Sequence, residues 1–154
     1  AEARRRRRPE PAVTSGNTET DGDSVVEMEI YFPNEERVNA RIGNMEIETG
    51  NDPVTPSPFL LFLTSMGTCA GVYVKSFCRR RGLPTEGIRI IQRMKSRIPN
   101  GPIEEVELDI QLPPEFPEKY HDAVIRAADQ CAVKKHLENP PGFNVHVSVP
   151  ELVA

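Results

Sequence analysis

The chain has 154 residues and a mass of 17.2 kDa, the size of one domain. Hydrophobic residues make up 38% and charged residues 27%, with a mean hydropathy of −0.46, so a modest globular core is expected. No run reaches the roughly 18–20 uninterrupted apolar residues of a bilayer span, and no membrane partner is expected. The most apolar stretch, Phe59 to Val74, is broken by Thr, Ser and Gly before Lys75 and three arginines.

The net charge of −4 is unevenly spread. Residues 1–24 carry Arg4–Arg8, balanced by Glu2, Glu10, Glu19, Asp21 and Asp23, in a stretch poor in apolar residues. Five consecutive arginines suit an anionic surface or nucleic acid. The low apolar content reads more simply as a tail outside the fold, so no nucleic-acid partner is expected. The folded domain is placed at residues 25–154.

Three cysteines, Cys69, Cys78 and Cys131, are too few and too widely spaced for a disulfide scaffold. There is no CxxC, and His121, His136 and His146 lack acidic partners at metal-ligand spacing. No metal and no cofactor is expected. A reducing, cytoplasmic setting suits this cysteine usage, with the thiols either filling volume or doing redox chemistry.

In chain order, Val26, Met28, Ile30 and Phe32 alternate with polar residues, the period of a half-buried strand ended by Pro33-Asn34. Val38, Ala40 and Ile42 predict a second strand, Gly43-Asn44 a turn, and Met45 and Ile47 a third. A long helix is predicted from Ser57-Pro58, where Ser caps and Pro suits the first helical position, to Gly82. It is apolar almost all round before Lys75, which predicts burial on most sides. Ile88, Ile90, Gln92, Met94 and Ile98 then alternate with basic residues, and Val106, Leu108, Ile110 and Leu112 with acidic ones. That is a hairpin with one basic and one acidic strand on its outer face. A second helix is predicted from Pro117 to its stop at Asn139-Pro140-Pro141, with Cys131 on its buried side, then a last strand through Phe143, Val145, Val147 and Val149. The order predicts an α+β fold with antiparallel sheets packed around a long buried central helix.

Cys69 lies in Met66-Gly67-Thr68-Cys69-Ala70-Gly71. Two glycines there cost about 1 kcal/mol each relative to Ala, so close approach of a backbone or a ligand is one expectation. Cys131 faces inward from the later helix. Packing and a reactive pair both remain open on spacing alone. Cys78, nine residues beyond Cys69, points nearly the opposite way and is read as packing. His136 is read as a helix C-terminal cation.

Thr55-Pro56-Ser57-Pro58-Phe59-Leu60-Leu61-Phe62-Leu63, running into Met66-Gly67-Thr68-Cys69, resembles the helix signature of the OsmC/Ohr superfamily. Ala128 to Leu137, around Cys131, resembles that family's second signature, a helix with a Cys-Pro-Val-like turn. Gly82 to Gly87 is similar to its helix-to-strand linker. The resemblance implies an OsmC-like fold in an intertwined homodimer. It implies a thiol-dependent peroxidase that reduces organic hydroperoxides, part of an oxidative stress response. Cys69 would be the attacking and Cys131 the resolving cysteine, with a lipoyl-type or other dithiol as reductant. The family stabilises its thiolate with an arginine from the N-terminal strands, for which Arg37 and Arg41 are the candidates here. An apolar substrate pocket is assigned to Phe59, Phe62, Met66 and Tyr73. Two departures stand out: Pro58-Phe59-Leu60 occupies the place of the family's acidic residue, and Ala132 replaces the Pro after the second cysteine. The alternative is a non-catalytic dimer of the same fold that holds an apolar or thiol-bearing ligand, its cysteines structural or redox-sensing.

Overall fold

The computed structural model describes residues 26–151; the expected tail, with Arg4–Arg8, lies outside them. The chain divides into two compact units that meet in sequence at Leu60–Leu61.

The first unit is a three-stranded antiparallel sheet in the order β1 (Glu29–Asn34), β2 (Arg37–Ile42), β3 (Met45–Gly50). The expected turn at Pro33-Asn34 moves two residues on. Asn34 Oδ1 accepts the Glu36 N–H at 3.0 Å and closes the chain reversal, while Pro33 stays in β1. Pro is tolerated there because β1 is an edge strand and its pairing with β2 is irregular between Tyr31 and Asn34. Gly43 turns the second hairpin at φ 56°. Alternation places Met28, Ile30 and Phe32 on one face with Val38, Ala40 and Met45. Ile30 pairs with Ala40, and Ala40 with Ile47. The expected half-burial of this face is not reached: Met28, Ile30, Phe32, Val38 and Met45 are all exposed in the single chain. The other face carries the charges, with Arg41 opposite both Glu29 and Glu46.

The second unit is built around α1 (Pro58–Arg80). Ser57 Oγ accepts the Leu60 N–H at 3.2 Å, the N-cap its position predicts. At the other end Gly82 takes φ 65°. Its N–H reaches the Arg79 carbonyl at 3.3 Å and the Leu83 N–H reaches the Cys78 carbonyl at 3.0 Å, a Schellman closure. By length and composition α1 also meets the requirement of a bilayer span, contrary to expectation. Its buried stripe of Ala70, Val74, Phe77 and Cys78 instead joins Phe116, Val124, Ala128 and Cys131 in a core. The burial expected on most sides is confined to that stripe, since Phe59, Leu60, Phe62 and Val72 are exposed.

The hairpin β4 (Arg89–Lys95) and β5 (Glu105–Gln111) lies against this core through Ile90, Leu108 and Ile110. Its charge pattern resolves as expected. Arg93 faces Glu107 across the ladder at 2.7 Å, and Lys95 faces Glu105 at 3.0 Å and Glu107 at 2.6 Å.

The predicted second helix is not continuous. After a 3-10 turn at Glu118–Tyr120 the chain forms α2 (His121–Ala128), breaks, and restarts as α3 (Ala132–Glu138). Cys131 sits between them with φ −46° and ψ 119°, and its sulfur caps α3 by accepting the Lys134 N–H at 3.4 Å. A continuous helix would leave that sulfur as a side chain on its face; the break turns it into a cap. Lys134 bound to Asp129 at 2.7 Å and Lys135 bound to Gln130 at 3.0 Å brace the joint. Among the described residues the predicted last strand does not form: Phe143, Val145, Val147 and Val149 lie in no strand and are about nine-tenths exposed.

Candidate functional site: a thiol pair between two helices

Cys69 lies in the middle of α1, half-buried, and Cys131 is buried at the start of α3. The break after α2 turns the start of α3 toward α1. The two sulfurs come within hydrogen-bonding reach of each other. The Cys131 thiol also reaches the Met66 carbonyl, one turn before Cys69, at 3.8 Å. Its single hydrogen therefore has two acceptors, an α1 carbonyl and the Cys69 sulfur.

The surroundings push the two thiols in opposite directions. The Val133 N–H, donated to the Cys69 sulfur, holds Cys69 below the ordinary thiol value against the penalty of burial. The Cys131 thiol and the Ala132 N–H add to that lowering. Cys131 is pushed up, first by burial and then by the neighbouring Cys69, with the Lys134 N–H opposing. The thiolate is the nucleophilic form of cysteine, so these surroundings favour Cys69 over Cys131 as the nucleophile. Cys78, fully buried, is raised by burial alone and stays in the core.

The family resemblance pointed to an arginine from the N-terminal strands for this stabilisation of Cys69. The donors that lower it are backbone N–H groups of the first turn of α3. The signal was present in the Ala132 replacement: Pro in that place has no N–H to give. Arg37 and Arg41 sit on the charged face of β2. Arg37 bonds Glu48 at 3.0 Å and approaches Asp52 at 3.7 Å. Arg41 bonds Glu29 at 3.0 Å and lies over the Tyr31 ring at 4.7 Å. Asp52 Oδ1 also accepts the Val54 and Thr55 N–H groups at 3.0 and 2.8 Å. A bond from the Thr55 side chain leads, and these backbone bonds add to it, in holding the Asp52 carboxyl below its ordinary value.

Of the residues assigned to a substrate pocket, Met66 and Tyr73 are half-buried on α1, whereas Phe59 and Phe62 are exposed. His136 lies in the last turn of α3, where its Nδ1 donates to the Ala132 carbonyl at 2.7 Å. Among the described residues no cluster of His, Cys, Asp or Glu is placed to hold a metal ion.

A long helix beside a β-hairpin, with a second helix start capping its cysteine, defines a mixed α/β protein with a paired-thiol site. The OsmC-like protein family model matches residues 49–146, well over half of the sequence, and the chain belongs to that family. The fold is also that of solved OsmC-like structures. A Psychrobacter arcticus protein, described as an osmotic stress induced and detoxification response protein, aligns with a TM-score of 0.57 at 20% identity. That alignment covers 73% of this chain and 88% of the other. A hypothetical protein from Aquifex aeolicus aligns at 0.56 and 21% identity over 77% and 90%. An OsmC-like protein of unknown function from Vibrio cholerae aligns at 0.51 and 9% identity over 75% and 95%. No curated protein sequence matches the chain.

Proposed function

We propose that this chain is a thiol peroxidase that reduces organic hydroperoxides to alcohols. The observation that carries the reading is the meeting of two thiols from distant parts of the chain, Cys131 reaching the Met66 carbonyl one turn before Cys69 and the Cys69 sulfur itself, with Cys69 lowered and Cys131 raised. The Cys69 thiolate attacks the distal oxygen of ROOH. The O–O bond breaks, RO⁻ takes a proton and leaves as ROH, and Cys69 carries a sulfenic acid. Cys131 then attacks the Cys69 sulfur, the S–O bond breaks and water leaves. An external dithiol, lipoyl-type or other, restores both thiols by exchange. The backbone N–H groups of Ala132 and Val133 stabilise the charge on Cys69.

The working form is a homodimer in a reducing, cytoplasmic compartment. Two exposed apolar surfaces support self-association, the Met28/Ile30/Phe32 face of β1 and the alternating segment Phe143 to Val149. Phe59 and Phe62 belong to an apolar substrate pocket completed in that dimer with Met66 and Tyr73. The exposed apolar start of α1 also supports the second reading, a dimer that holds an apolar ligand without turnover.

Turnover with cumene hydroperoxide and a dithiol separates the two. The expected result is activity that disappears in Cys69→Ser, and in Cys131→Ser a sulfenic acid that forms and stalls. Equally negligible rates in all three proteins refute the peroxidase and leave the ligand-holding dimer.

A further inference from the structure

Along β4 the inward phase reads Ile88, Ile90, Gln92, Met94, with a single polar residue among apolar ones. Burying an amide is unfavourable unless it is hydrogen-bonded, and an aliphatic residue would fill this place more cheaply. Opposite it stands Gly67, inside a helix, where glycine is also unfavourable. The two costly choices meet at one point. Gln92 Nε2 donates to the Leu63 carbonyl at 2.8 Å, with the Met94 sulfur at 3.4 Å. Its Oε1 lies over Gly67, where a Cβ would overlap it.

Leu63 and Gly67 bound the turn of α1 that contains Met66, whose carbonyl Cys131 reaches, and that leads on to Cys69. We infer that Gln92 is a positioning residue: it fixes the advance of α1 along β4 at which Cys69 meets Cys131, and so sets the rate of disulfide closure. The inference rests on the reading of Cys69 and Cys131 as a redox pair. Displacing a reacting atom by about 1 Å can cost 10²-fold in rate, so a hydrogen bond outside the chemistry can govern it.

Closure is measured without peroxide, using oxidised glutathione. The Cys69 thiolate attacks one glutathione sulfur, forming a mixed disulfide and releasing one glutathione thiolate. Cys131, having lost its proton to solvent, then attacks the Cys69 sulfur and expels the second. Mass spectrometry follows the mixed and internal disulfides in the full chain for wild type, Gln92→Leu, Gly67→Ala and the double variant. Gln92→Leu and Gly67→Ala are each expected to slow closure at least tenfold, so the mixed disulfide accumulates. The double variant is expected to be no slower than either single one. Val124→Ala, a core change outside the contact, controls for stability and is expected to close at the wild-type rate.

Wild-type closure in Gln92→Leu overturns the inference. So does equal slowing in Val124→Ala at a matched loss of denaturation midpoint, and so does a wild-type chain that never closes. A wild type that closes with glutathione but forms no sulfenic acid with cumene hydroperoxide refutes the peroxidase alone.

Discussion

Ala132 carries more of the site's chemistry than its side chain suggests. It is the first residue of α3, and its N–H helps to hold Cys69 in the ionisable state. Pro is well suited to a first helical position, so Ala132→Pro keeps the helix start and deletes one donor. The expected outcome is a higher Cys69 pKa and alkylation by iodoacetamide at pH 7 slowed severalfold, with the pH profile moved to higher pH. An unchanged profile would mean that the Val133 N–H and the Cys131 thiol suffice without it. Asp52 supports a second prediction. Its folded pKa lies below the unfolded one because Thr55 and Val54 bond its charged form, with Arg37 adding to the effect. A carboxylate shifted this way stabilises the fold above its unfolded pKa, near 3.9, and that contribution is lost as pH falls through the lower folded value. Glu107 behaves the same way through Lys95 and Arg93. Urea midpoints are expected to hold steady from pH 7 to 5 as far as these groups are concerned, and to fall below pH 4. In Asp52→Asn the neutral-pH midpoint drops and the acid-dependent loss shrinks.

Among the elements, α1 shows which local signals survive folding. Both ends lie where the sequence placed them, because Ser57, Pro58 and Gly82 act through their own backbone and nearest turn. Gly82→Ala forces a side chain into the left-handed region at φ 65° and is expected to cost about 1–2 kcal/mol, read from urea unfolding. The middle of α1 depends on its neighbours. Phe77 packs edge-on to Tyr120 at 6.0 Å and lies beneath the Arg81 guanidinium at 4.0 Å. Phe77→Ala is expected to destabilise by about 3–5 kcal/mol, well beyond the end-of-helix change. The α2–α3 break was not legible. A helical period of apolar residues runs through Ala127, Cys131 and Leu137, and no Gly or Pro marks the stop. Only the Cys131 cap and its lysine braces reveal it.

At the level of the whole molecule, alternation alone misjudged burial. The segment Phe143 to Val149 has a strand's pattern yet pairs with no strand among the described residues, and the apolar face of β1 is also exposed. A hydrophobic period says which residues seek cover without saying which surface supplies it. The dimer proposed above makes this a measurable matter. Val145→Asp with Val147→Asp is expected to shift light-scattering mass from dimer toward monomer, whereas charge changes at Arg89 leave it unaltered. A wild-type chain that sediments as a monomer would remove the dimer from the proposal.

Strand alternation, the ends of α1, the charge-matched hairpin and membership of the OsmC-like family could all be read from residue order. Each depends on neighbours along the chain or on a motif of consecutive residues. The meeting of Cys69 with Cys131, the amide donors that divide their acidities, and the pairing of Gln92 with Gly67 emerged from packing alone. They join residues 25 to 65 positions apart. Which groups then touch depends on a helix break and a close helix-to-strand approach that no local pattern encodes.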